Sequence, residues 1–368
     1  MVRFANSFDH TSNDSPSLRI DVNFLLDDSH HPLIKNALTR MSLSPQKTYT
    51  RISLRNRGNE RRTVTASLLA STLEMTKRLV CLELSGIDLD LGDSSDALSR
   101  ALANMMDLKE VKIGLGCRLL GNEESLASFA CGMMKVPRLE AIVLNYEDMP
   151  GHMVSSLNES ILRIPNLVSL HIIKWSVSDI DGGVAFLTKL LKMGGLKRLS
   201  IGELSSSDKP VLDAFCTLLS NSTLKLISVL VNDVESLRSI ANSLRITNPY
   251  VEKVVIYMDY EKRKAVLNKN DAVALFLEVL RDDNFLLSKL KLPFEHPDID
   301  FYLNLNSLGR HQLLKDEHGI VTDQDWLNAI AASEGDVPTI FYWLTCYLSL
   351  CQKADLKLLD ELDFMDEL

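Results

Sequence analysis

Two short stretches group side chains able to ligate a metal: Asp27-Asp28-Ser29-His30-His31 and Glu295-His296-Pro297-Asp298. Adjacent histidines on one loop rarely converge on one ion. The polar entry to a helix accounts for both stretches, so no metal and no cofactor is expected. Six cysteines (81, 117, 131, 216, 346 and 351) are scattered along the chain. Cys131 and Cys216 fall near apolar stripes, where a thiol serves as a small hydrophobe. Cys346 and Cys351 are five apart, a poor match to helical pairing, and no second cysteine pair completes a zinc site. There is no GxxxxGK[ST] phosphate loop, no GxSxG elbow and no HExxH helix. These residues do not add up to an enzyme. Binding chemistry is more evident. Leu356 to Leu368 interleaves Asp360, Glu361, Asp363, Asp366 and Glu367 with Leu358, Leu359, Leu362, Phe364 and Met365. Such a segment reads either as an acidic amphipathic docking peptide or as a last capping helix.

Composition narrows what can carry these groups. The chain has 368 residues, 46% of them hydrophobic, with 40 basic and 49 acidic side chains for a net charge of −9. That length points to two domains or one elongated body. The acidic balance argues against nucleic acid and anionic membranes as partners. The richest apolar stretch, Val337 to Cys351, is interrupted by Pro338 and too short to span a bilayer. Met1 to Ser7 has no apolar core of signal-peptide length, so a cytoplasmic or nuclear protein with reduced thiols is expected.

One six-residue pattern recurs. YTRISL (49–54), LVCLEL (79–84), LKEVKI (108–113), LEAIVL (139–144), LVSLHI (167–172), LKRLSI (196–201), LKLISV (224–229), VEKVVI (251–256) and LSKLKL (287–292) are apolar at their first, fourth and sixth positions. All of those positions are aliphatic except Tyr49, and the starts from 49 to 251 advance by nearly 29 residues each. Between them the spacing is helical: Leu98, Leu102 and Met105 follow i, i+4, i+7, and Val211, Leu212, Phe215, Leu218 and Leu219 form one stripe. Ser94 or Ser95, Asp208 with Pro210, and Asn270-Asp271 supply helix starts. Each unit is therefore strand, loop, helix, loop. No unit covers its own apolar faces, so neighbours must stack. Strands pack about 4.8 Å apart and helices about 8–10 Å, so the helical side fans out and the sheet becomes the inner wall of an arc.

These segments resemble the leucine-rich repeat family, specifically its ribonuclease-inhibitor-like class with a full helix per repeat. The resemblance covers roughly residues 48 to 295 and implies an α/β solenoid, with a curved parallel sheet inside, helices outside and a cap at each end. The family pattern places Asn or Cys at the ninth position. Here that position holds Ile87, Gly116, Glu147, Trp175, Leu204, Asn232, Asp259 and Glu295, so the repeats are degenerate and irregular loops are expected after the strands. The segment from Leu303 to Arg310, followed by Trp326, is weakly similar to the C-terminal part of leucine-rich-repeat proteins of diatom-type algae. Some proteins of similar architecture stimulate small GTPases through loops at the strand ends, which makes a GTPase-activating regulator the alternative function.

The expected organisation is a disordered tail (1–17), an N-terminal cap (18–47), the solenoid (48–295), a C-terminal cap (296–354) with a strand at 301–305 and two helices, and the acidic amphipathic tail (355–368). On each strand the third and fifth residues alternate against the buried set and face the groove. The charged ones are six cations (Arg51, Lys112, Arg198, Lys253, Lys289, Lys291) and two carboxylates (Glu83, Glu110), a sum of +4 against the bulk sign. Val143, Leu226 and Val255, with Ile173 and Tyr257 just beyond the strands, supply apolar contact beside them, and His171 shares the face. The expected function is a non-enzymatic scaffold, a monomer, whose concave face holds a protein partner with an acidic surface. Trp175, just past a strand, is expected to cover a repeat edge rather than to anchor a ligand.

Overall fold

A computed structural model describes residues 17–21, 51–56, 61–76, 78–114, 116–175, 180–246, 248–258, 271–284, 286–314 and 321–347. Asp27 to His31, Cys351 and the acidic segment 355–368 lie outside them, as do residues 1–16; Ser17 already belongs to the first strand.

The recurring segments form one ten-stranded, wholly parallel sheet in chain order. Its strands are β1 (Ser17–Asp21), β2 (Arg51–Arg55), β4 (Cys81–Ser85), β6 (Glu110–Ile113), β8 (Ala141–Asn145), β9 (Ser169–Ile173), β10 (Arg198–Leu204), β11 (Leu226–Val231), β12 (Lys253–Met258) and β13 (Lys289–Lys291). Pairing keeps the motifs in phase. Ile52, Leu82, Val111, Ile142, Leu170, Leu199, Ile227, Val254 and Leu290 form one aliphatic ladder across nine strands. All described first, fourth and sixth positions are buried except Leu292, which is half-buried. A one-residue slip would turn this whole set to the opposite face, so the repeat enforces its own register.

Between the strands run α1 (Ala66–Glu74), α2 (Ser95–Ala103), α3 (Glu123–Met134), α4 (Gly151–Ile161), α5 (Ile180–Leu191), α6 (Lys209–Asn221), α7 (Val234–Ser243) and α8 (Asp271–Glu278). Each packs on the next in chain order, giving one row of helices against one face of the sheet. Start signals act locally: Asn122 Oδ1 accepts from Ser125 N at 2.8 Å, Asp233 Oδ1 from Ser236 N at 2.7 Å, and Pro210 sits in the first turn of α6. α2 and α3 approach closely, since a Cβ on Gly132 would lie 2.6 Å from Ser99 Cα.

The loops after the first strands are not irregular as expected. β3 (Arg62–Thr65), β5 (Ile87–Asp90) and β7 (Arg118–Leu120) make a second, three-stranded parallel sheet. Val64, Ile87 and Leu89 are fully buried there, so apolar packing replaces the missing ninth-position asparagine. Asparagine appears elsewhere, three residues before three of the strand motifs, and at two of them, Asn248 and Asn284, it reaches the preceding unit. Asn248 Nδ2 donates to the carbonyls of Leu219 and Ser222, and Asn284 Nδ2 to that of Leu244, each at 2.9 Å. Asn306 Nδ2 then donates to the carbonyls of Asn284 and Leu287.

After β13 the expected strand at 301–305 is instead part of α9 (Pro297–Ser307). Pro297 at the first turn, with Asp298 and Asp300 beside the helix N-terminus, outweighs the alternation of Phe301-Tyr302-Leu303-Asn304-Leu305. α10 (Arg310–Leu314), α11 (Asp323–Ala332) and a helix at 337–347 follow. They share a second apolar cluster of Leu305, Leu313, Trp326, Ala329 and Trp343. The two tryptophans meet edge to face at 6.1 Å.

Candidate functional site

The sheet face away from the helices carries the third- and fifth-position residues in two straight rows, because the strands stay in register. The third-position row runs Arg51, Cys81, Glu110, Ala141, Ser169, Arg198, Leu226, Lys253, Lys289. The fifth-position row runs Ser53, Glu83, Lys112, Val143, His171, Ser200, Ser228, Val255, Lys291. The sequence-predicted residues do share one face, yet the structure divides them into three groups.

At the β2–β6 end the charges satisfy one another. Arg51 lies 3.7 Å from Glu83 and 3.8 Å from Glu110, Lys112 lies 3.0 Å from Glu110, and Arg55 lies 2.8 Å from Glu83. Two of the six candidate cations are thus already engaged. Cys81 sits among them, and burial together with the Glu110 charge pushes its thiol up to about 12. A thiol so raised stays protonated and is a poor nucleophile.

In the middle of the face His171, Ser200, Ser228 and Val255 are buried. The expectation that His171 and Val255 meet a partner directly is corrected here. The fifth position is the middle row, flanked on the same strand by the third and seventh positions, and short side chains there lie below longer neighbours. The hydroxyls of Ser200 and Ser228, side by side in register, have no hydrogen-bond partner. Val143, Leu226 and Tyr257 are half-buried, and Ile173 lies inside β9 and is buried, not beyond the strand.

Burial, with the Lys112 charge adding to it, drives the His171 imidazole down to about 4. Its unfolded value is about 6.5, so the unfolded chain binds the extra proton between those limits. Stability from this group is complete above pH ~6.5 and is lost as pH falls towards 4, at a cost of about 3 kcal/mol. Urea unfolding of the wild type and of His171→Gln at pH 7 and pH 4.5 checks this. The substitution should flatten the acid loss, and an equal loss in both proteins would refute the assignment.

At the β10–β13 end Arg198, Lys289 and Lys291 are exposed and Lys253 is half-buried. Among the described residues no carboxylate is paired with any of the four. The third and fifth positions of β9 to β13 contain no Asp or Glu, and the one carboxylate within those strands, Glu203, lies in the bulge near the end of β10. The cationic character expected of the whole face is therefore concentrated at one end.

A second charged cluster, at the strand-end corners, was not anticipated from sequence. Asp88, buried, accepts from Arg118 Nε at 3.0 Å and Nη2 at 2.5 Å, and Arg61 lies 3.8 Å away. Glu147 takes Arg61 at 3.4 Å and Lys174 at 2.5 Å, and Asp148 takes Arg118 at 3.4 Å. Asp148, Lys174 and Glu203, at successive corners, adopt positive φ of 62°, 49° and 50°. The only sequence signal was the recurrence of charge about 27–30 residues apart, which does not reveal the pairing. Three cations against three carboxylates leave this cluster neutral.

Chemistry beyond binding finds few parts. Among the described residues no group of three or more His, Cys, Asp or Glu could hold a metal. Glu295-His296-Pro297-Asp298 is the entry to α9, with His296 Nδ1 at 3.9 Å from Asp298. Cys81, Cys117, Cys131, Cys216 and Cys346 are all free. No helix among the described residues is long and apolar enough to cross a membrane. A scan against protein-family models and a search of curated proteins both find no match to this chain.

Proposed function

We propose that this chain is a leucine-rich-repeat scaffold of the ribonuclease-inhibitor-like class, a cytoplasmic monomer that holds a protein partner on its helix-free face without catalysing a reaction. The observation that carries the reading is the row Arg198, Leu226, Lys253, Lys289 with Lys291 beside it. It is a set of cations with no paired carboxylate among the described residues, with an aliphatic side chain between them, on a protein of net charge −9. Isolated surface lysines serve solubility, but a one-sign cluster on an oppositely charged body steers and orients a complementary partner. The partner accordingly presents carboxylates around an apolar centre. Nucleic acid fits less well, because the face offers few aromatic rings for bases to stack on. The GTPase-regulator alternative draws less support, since the strand-end cations Arg61, Arg118 and Lys174 are each held by a carboxylate.

The test is capture of natural partners by the wild type and by the triple variant Arg198→Glu, Lys253→Glu, Lys289→Glu, with melting temperatures matched first. Captured partners should bind the variant at least about tenfold more weakly. Binding to the wild type should fall between about 0.1 M and about 1 M salt, where the screening length drops from about 10 Å to about 3 Å. Unchanged capture would move the interface off this face. GTP turnover by a panel of small GTPases, with and without the protein, tests the alternative.

A further inference from the structure

We infer that the basic β10–β13 end of the helix-free face binds the chain's own acidic segment, residues 355–368, which acts as an internal competitor for the partner. This rests on the binding role proposed above for the same face. Its first support is complementarity. The segment holds six carboxylates (Asp355, Asp360, Glu361, Asp363, Asp366, Glu367) and one cation, Lys357, for a net charge of −5. Leu358, Leu359, Leu362 and Met365 follow i, i+1, i+4, i+7, which gathers them into one apolar stripe when the segment is helical. Carboxylates around an apolar stripe are the chemistry that Arg198, Lys253, Lys289 and Lys291 around Leu226 would recognise.

The second support is placement. The described chain stops at residue 347, in the helix 337–347. Tyr342 of that helix accepts a 2.7 Å hydrogen bond from Arg310, which also donates at 2.7 Å to the Leu280 carbonyl, shortly before β13. The last described helix is thus held against the turn that precedes β13, the strand that carries Lys289 and Lys291. The seven residues 348–354 span up to about 23–25 Å when extended. From Lys289 to Arg198 is three strand steps, about 14 Å, and fourteen helical residues cover about 21 Å. A segment of that length spans the row from Lys289 to Arg198.

The third support is the tether itself. A tethered segment acts at an effective concentration in the millimolar range. An intrinsic affinity of only about 10 μM would then keep the face occupied about 99% of the time and weaken a partner's apparent affinity about a hundredfold.

The test uses the full chain and a fluorescein-labelled synthetic peptide of residues 355–368, followed by anisotropy. In the variant Asp360→Asn, Glu361→Gln, Asp363→Asn the internal competitor is weakened, so the labelled peptide should bind at least about tenfold more tightly than to the wild type. Adding Lys289→Glu and Lys291→Glu should abolish that binding at an unchanged melting temperature. Carbodiimide treatment of the wild type should link Lys253, Lys289 or Lys291 to the segment within the monomer band. Equal peptide affinity for wild type and variant, or links confined to other lysines or to a dimer band, would overturn the inference. If that happens while the triple reversal of the face still abolishes partner capture, the internal competitor is refuted and the binding face stands. If peptide binding behaves as expected while partner capture ignores the reversal, the proposed function fails instead.

Discussion

Arg310→Met is expected to lower the unfolding free energy by about 3–5 kcal/mol, the largest loss foreseen for a single charged residue of this chain. Arg310 is buried, and its guanidinium lies between the rings of Tyr302 and Tyr342, 5.2 and 5.3 Å from their centroids. It donates to the Tyr342 hydroxyl, the Leu280 carbonyl and the Arg281 carbonyl. Those two carbonyls belong to the π turn at Val279–Asp283 that follows α8, where a helix lacks internal donors and its dipole favours a cation. Methionine fills much of the volume yet leaves both carbonyls and the phenol without a partner. Arg310→Lys should recover only part of the loss, because an ammonium cannot serve three divergent acceptors while stacking between two rings. Urea unfolding decides the matter. A loss under about 1 kcal/mol for Arg310→Met would show that the C-terminal helices are held by their apolar cluster alone.

Trp175→Ala should cost about 3–5 kcal/mol. Trp175 is only 1% exposed and meets Phe186 of α5 edge to face at 5.8 Å. It is core, and neither an edge cover nor a ligand anchor. The corner before it is tightly built: Lys174 has a φ of 49°, and a Cβ on Gly202 of the next strand would lie 3.1 Å from its backbone nitrogen. A double-mutant cycle with Phe186→Ala should return a coupling of about 0.5–1.5 kcal/mol beyond buried area. Additive losses would mean that the two rings pack independently.

The strand–helix alternation was legible because burial repeats. Leu82, Val111, Ile142, Leu170 and Leu199 occupy the same place in each unit, and only apolar side chains can fill it. Helix starts near Ser95, Asp208 and Asp271 were legible because residue preferences at helix ends are local, although neither Ser94 nor Asp208 makes a side-chain cap hydrogen bond. The second sheet was not. Ile87-Asp88-Leu89-Asp90 alternates apolar and acidic residues as a half-exposed strand would, yet Asp88 is buried, which is possible only because Arg118 reaches it from the next unit. α9 was misread because Phe301 to Leu305 alternates over too short a window, while the deciding Pro297 lies outside it. For the binding face, residue types and rows could be read off directly. Which cations are neutralised could not, because Arg51 meets Glu110 across two strand steps, a lateral relation invisible along the chain. Asn248 and Asn284 did leave a trace, an asparagine three residues before the strand motif, but Asn221 has the same spacing and donates instead to Thr217 in its own helix.

Those asparagines bear on how the molecule comes apart. Asn248 ties the end of α6 to the loop entering β12, Asn284 ties the end of α7 to the loop entering β13, and Asn306 on α9 closes over Asn284 and Leu287. Units joined only by apolar contact can separate one interface at a time, but polar clamps laid end to end must release together. At the equivalent places earlier in the chain stand Met105, Val136 and Ile164, which are buried but carry no such clamp. The interfaces from α6 to α9 are thus coupled by uncharged buried amides, while the earlier ones are coupled by ion pairs such as Asp88–Arg118 and Glu147–Lys174 at the strand ends, so added salt loosens the earlier set before the later one.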